Sequence, residues 1–128
     1  MSDEFYLPED VVEWIAQKKS EYLSKLIEKV GPDDFGFEAY HQFDDLISQT
    51  IGEPDKAFES QIENYQIRIF LRTYKRIHLF HQVVIGVLIP DHQNKSDVYI
   101  PILTIVSKDE ELVKIFTVGE VIARPTLN

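Results

Sequence analysis

His41 carries the clearest hint of chemistry in this chain. Asp44 and Asp45 follow it at three and four residues, the spacings that bring side chains together on a helix surface. A neighbouring carboxylate orients an imidazole and favours its protonated form, which suits a general acid or base. The plainer alternative is a surface histidine on an acidic helix. The second hint is Tyr65–Arg76, where Arg68, Phe70, Arg72, Tyr74 and Arg76 alternate with Ile67, Ile69 and Leu71. In a strand the two sets point to opposite faces. The first set then interleaves guanidiniums, whose forks match phosphate oxygens, with aromatic rings on which unpaired bases stack. The plainer alternative is a solvated strand face whose arginines pair with acids across the sheet.

The other histidines offer less. His78 and His81 differ in parity and cannot chelate together from a regular strand, and His81 shares a face with Leu79, Val83 and Ile85, as a satisfied core histidine would. His92 falls in a polar connection. With no cysteine, no HExxH and no His-x-His, no metal site is expected. Five dispersed glycines form no phosphate-binding loop, so no cofactor is expected, and no G-x-S-x-G marks a hydrolase.

These residues need elements to hold them. Apolar positions from Val11 to Val30 fall at helical spacing, with Pro8 at the start and Gly31-Pro32 as a stop, predicting a first helix over residues 8–30. Trp14 lies off the centre of that stripe, as a boundary or interface residue would. A second helix is expected over residues 37–51, capped by Asp33 or Asp34 and burying Tyr40, Phe43, Leu46, Ile47 and Ile51; Gly52–Asp55 ends it. Lys56–Ser60 reads as a short strand. Residues 66–75, 77–89, 98–106 and 113–122 are rich in β-branched and aromatic residues and read as strands. Residues 90–97 and Ser107–Glu111 read as loops between them. Pro101 should mark an edge, a bulge or a strand start. The expected fold is a single α+β domain: residues 1–55 helical and acidic, 56–122 sheet, 123–128 a tail. Two N-terminal helices would cover one face of a four-stranded, or five-stranded, antiparallel sheet.

Charge divides along the same line. Residues 1–60 hold 15 acids and 5 bases, whereas residues 61–128 hold 7 acids and 8 bases, within an overall −9. That balance argues against nonspecific nucleic-acid binding by the whole molecule. The acidic first fifteen residues do not read as a secretory signal, the longest apolar run is broken by His78, His81 and Gln82, and the absence of cysteine suits a reducing compartment. A soluble, cytoplasmic protein without a membrane segment is expected.

Residues 41 to about 121 resemble the phage-associated barnase–EndoU–colicin–RelE-like (BECR) nucleases. The resemblance rests on His41 before Leu46-Ile47-Ser48-Gln49-Thr50-Ile51, on Pro54-Asp55 leading into the sheet, and on Phe70-Leu71-Arg72, Val83-Val84-Ile85-Gly86-Val87 and Phe116-Thr117-Val118. It implies helices on a four-stranded antiparallel sheet and metal-independent RNA cleavage, in which a 2′-hydroxyl attacks the adjacent phosphate. Carried over, His41 would be the acid or base, Arg68 and Arg72 the phosphate clamp and Thr117 a hydroxyl donor. Tyr74 and Arg76 extend the substrate-binding face. The sequence departs from the family in lacking a second histidine near Arg72 and in its acidic first half, so a catalytically degenerate RNA-binding member also fits.

The second reading is a non-catalytic acidic module, the immunity- or antitoxin-like partner of a basic protein, with Trp14 or Phe35 as aromatic anchor. A homodimer built through a strand edge or a helix face is compatible with either reading.

Overall fold

The computed structural model describes residues 7–91 and 95–122, so His92 and the 123–128 tail lie outside the described residues. The chain is α+β, and the described residues form five strands, all paired antiparallel: β1 (Lys56–Ile62), β2 (Tyr65–Lys75), β3 (Leu79–Asp91), β4 (Ser96–Ser107) and β5 (Glu120–Ile122). Their order is β4-β3-β2-β1-β5, which leaves β4 and β5 at the edges. Three α-helices, α1 (Glu9–Lys29), α2 (Ile47–Gly52) and α3 (Glu110–Phe116), accompany a 3-10 helix over Phe37–Leu46.

The expected second helix is thus two elements, and the aromatic spacing explains the first. Phe37, Tyr40, Phe43 and Leu46 recur every three residues. In a helix of three residues per turn such a row eclipses along one face. Phe43 and Leu46 are buried from it against Phe80 and Val106.

The expected strand over residues 113–122 is corrected as well. Asp109 caps α3 by accepting a hydrogen bond from the Glu111 N–H, and Glu110 and Glu111 occupy the first turn, where the helix dipole favours anions. Leu112, Val113 and Phe116 then fall on one buried face. Residues 109–111, expected as a loop, are the signal that starts this helix. Only Glu120–Ile122 pairs as a strand, beside β1.

The apolar core divides by strand parity. Ile67, Ile69, Val83, Ile85 and Val87 pack with Val11, Trp14 and Leu26 of α1 and with Leu112, Val113 and Phe116 of α3. The opposite parity, Ala57, Phe70 and Val84, packs with Ile47 and Ile51 of α2, while Phe80 and Tyr74 meet the 3-10 helix. Phe43, Leu46, Ile47 and Ile51 therefore contact the parity opposite to the one α1 meets, with Tyr40 reaching both clusters, so the expectation of both N-terminal helices on one face does not hold. The β2 face that alternation left free for RNA is the face these later elements cover.

Pro101 sits where its chemistry allows. It lies in the edge strand β4, opposite Gly86, at the point where the β3–β4 register shifts and Ile102 becomes the extra residue of a bulge. Gly86 has its own reason: a Cβ there would come within 2.6 Å of Tyr99 Oη, because the Tyr99 ring lies over it. Tyr99 donates from that position to the Arg68 carbonyl at 2.9 Å and meets Phe70 edge-on.

Candidate functional site

His41 lies on the 3-10 helix with its side chain 88% exposed, and its Nδ1 is 3.2 Å from Asp44 Oδ2. The carboxylate neighbour expected at three residues is present. The ring stands at the rim of a solvent-open cleft of about 280 Å³ between α1, the 3-10 helix and β4. Lys19 and Leu23 line it from α1, Phe37, Tyr40 and Asp44 from the 3-10 helix, and Pro101 to Thr104 from β4. Burial raises the Tyr40 hydroxyl to a pKa of about 12, and the nearby Asp34 carboxylate adds to the shift, against a smaller opposing effect of the Val106 backbone.

The other expected site residues go elsewhere. Arg68 stands opposite Glu59 across β1 and β2, and its Nε donates to the Glu59 carboxylate at 2.8 Å, with Nη2 on the same oxygen. Arg72 donates from Nη1 to the Glu53 carbonyl, and its guanidinium lies over the Tyr74 ring, 5.4 Å from the centroid. Arg72 Nε is buried without a hydrogen-bond partner. Arg76 pairs with Asp45 at 3.5 Å, both side chains being exposed. Thr117, expected in a strand, ends α3 and donates to the Val113 carbonyl at 2.9 Å. No hydrogen bond or ion pair among the described residues joins His41 to Arg68, Arg72 or Thr117, and none of those three lines its cleft.

Tyr74 belongs to a buried polar cluster that sequence reasoning missed. Thr50 Oγ1 donates to Gln82 Oε1, and the Tyr74 hydroxyl lies 2.8 Å from Thr50 Oγ1. With the single Thr50 proton on Gln82, Tyr74 donates to Thr50, and the Leu46 carbonyl lies 3.3 Å away as a second acceptor for the same hydroxyl. Gln82 Nε2 donates to the Phe43 carbonyl at 3.0 Å. Thr50 and Gln82 are both fully buried. The cluster bolts the 3-10 helix and α2 to the sheet. The signal was available: Gln82 interrupts the apolar run from Leu79 to Ile89, and a buried amide needs partners.

Two aromatic expectations are also corrected. Trp14 is buried, with its ring centroid 4.2 Å from that of Tyr65. Phe35 packs edge-on against Phe43 and Phe80. Neither projects as a free anchor, whereas Phe37 on the 3-10 helix is exposed. His81 is a satisfied core histidine, as expected, with Nδ1 2.8 Å from Thr73 Oγ1.

No family model, no curated protein and no solved structure matches the chain. Among the described residues no helix is long and apolar enough to cross a membrane, and no three metal-ligating side chains gather.

Proposed function

We propose that this chain is a non-catalytic interaction module whose acidic surface receives a basic protein. The observation that carries this reading is the unequal fate of its charges. Arg68, Arg72 and Arg76 are each engaged within the molecule, by Glu59, the Glu53 carbonyl and Asp45. Glu9, Asp10, Glu13, Asp33, Glu38 and Asp44 are exposed. Lysines are exposed too, Lys19, Lys25 and Lys29 of α1 among them, but the net charge of −9 leaves the overall field negative, which speeds encounter with a positive surface and repels phosphates. A ribonuclease built on His41, Arg68, Arg72 and Thr117 draws no support from this geometry, since two of its cations are committed elsewhere and its hydroxyl is spent on α3.

The test is affinity capture from source-cell extract at low and high salt, followed by titration of the purified pair. A saturable complex with a protein of net positive charge is expected. It should weaken with salt and with the triple reversal Glu9→Lys, Asp10→Lys, Glu13→Lys. A pair indifferent to both, or no stoichiometric partner, defeats the reading. RNA turnover by the purified chain would replace it.

A further inference from the structure

The cleft beside His41 is walled by side chains of three elements. Leu23 of α1, Phe37 of the 3-10 helix and Leu103 of β4 form its apolar part, and Lys19, His41 and Asp44 carry its charge. Phe37 heads the period-three row of the 3-10 helix but does not bury as Phe43 and Leu46 do: it stays 41% exposed. Its ring meets Tyr40 edge-on, with centroids 5.7 Å apart, so this wall is held in place before anything binds. At about 280 Å³ the space lies at the small end of ligand pockets, which begin at about 300 Å³.

The charges of the cleft are not equivalent. Asp44 is engaged by His41, whose Nδ1 lies 3.2 Å from its carboxylate. Glu38, on the same 3-10 helix, packs its carboxylate over Gly36 and does not line the cleft. Lys19 has no ion pair or hydrogen bond among the described residues, whereas its neighbour Lys18 is taken by Glu21. The uncommitted charge of the cleft is therefore positive. Lys19 and Leu23 are one helical turn apart, about 6 Å along α1, so a cation and an apolar wall stand side by side at that spacing. The net charge of −9 opposes an anion at long range, but physiological salt screens that field beyond about 8 Å, and Lys19 acts within that distance.

We infer that this cleft binds a small amphipathic carboxylate, with a compact aromatic or aliphatic body between Leu23, Phe37 and Leu103 and its charge on the Lys19 ammonium one turn away. The apolar body supplies most of the affinity, because an exposed ion pair contributes little. The ammonium instead sets the sign of the ligand: a neutral molecule of the same shape binds more weakly, and a cation is the worst match. This site is independent of the surface offered to a basic protein, to which the outer acids Glu9, Asp10 and Glu13 belong.

The probe is hydrocinnamate, titrated into the isotope-labelled full chain and followed by backbone amide shifts. Hydrocinnamyl alcohol and phenylpropylammonium carry the same body with a neutral and a positive end. Saturable shifts over residues 19–23, 37–41 and 101–104 are expected for the acid at millimolar concentration, with about threefold weaker binding of the alcohol and weaker binding still of the amine. In Lys19→Gln the acid should fall to the level of the alcohol, while the alcohol itself is unchanged; Lys19 is exposed, so this variant keeps the fold. Ile27→Ser, at an exposed aliphatic of α1 outside the cleft, should leave all three affinities as they are. An amine that binds as tightly as the acid, or a preference for the acid that survives Lys19→Gln, overturns the carboxylate assignment. No saturation at millimolar acid, shifts confined to other residues, or loss of binding in Ile27→Ser overturns the site.

Discussion

Replacing Gln82 with leucine should unfasten the elements that cover the second face of the sheet. Gln82 is fully buried; its amide donates to the Phe43 carbonyl at 3.0 Å and accepts from Thr50. Leucine matches much of its volume but restores neither bond. The Thr50 proton can then turn to the Tyr74 oxygen, with Tyr74 donating to the Leu46 carbonyl at 3.3 Å, so the Thr50–Gln82 bond is lost without leaving that hydroxyl unpaired. The Phe43 carbonyl also loses a donor. Two net hydrogen bonds at about 1 kcal/mol each, plus part of the desolvation cost of a Phe43 carbonyl left without that donor, give about 2–3 kcal/mol of destabilisation. Added apolar contact offsets a fraction of that. Urea denaturation followed by tryptophan fluorescence and far-UV dichroism should show a midpoint lowered by about 1–2 M at an unchanged slope. Thr50→Val breaks the same Thr50–Gln82 bond, so the double variant should be about 1 kcal/mol more stable than the two single changes sum to. A Gln82→Leu midpoint within error of the parent, or strict additivity with Thr50→Val, would refute the claim that this cluster fastens the 3-10 helix and α2.

Gly86→Ala should destabilise by about 1–3 kcal/mol, because the new methyl drives into the Tyr99 ring; combined with Tyr99→Ala, which clears that space, the added cost in the same denaturation assay should nearly vanish. Alkaline pH should also weaken the fold. The Tyr40 hydroxyl is held up to about 12 by burial first and by Asp34 second, so the folded state resists its ionisation. The stability this group contributes is whole below the ordinary tyrosine value near 10 and is lost as pH rises from there to about 12. Tyr40→Phe should flatten that part of the stability-against-pH curve; an unchanged alkaline slope would show that Tyr40 is not its source. A residual slope is expected from Tyr99, whose pKa burial raises as well.

The sequence by itself determined which segments alternate and which coil. Residues 8–30 repeat at helical spacing, residues 66–75 and 77–89 carry β-branched and aromatic side chains, and α1, β2 and β3 stand at nearly those places. Pro101 announced an edge or a bulge and occupies both. These features are local, because propensity, proline geometry and side-chain period act over a few residues. Local too, although read otherwise, were the period-three row from Phe37 to Leu46 and the Asp109 cap of α3. What only the tertiary structure decided is which face of β2 meets solvent. Alternation divides Arg68, Phe70, Arg72 and Tyr74 from Ile67, Ile69 and Leu71, but it does not say what packs on either set. Phe70 lies buried under Ile47 and Ile51, Tyr74 bonds into the Thr50–Gln82 cluster, and Arg68 closes on Glu59. Each of those contacts joins residues far apart along the chain or on different strands, so each depends on how the whole chain folds back on itself. That long-range packing turned a face with the composition of an RNA platform into a second core.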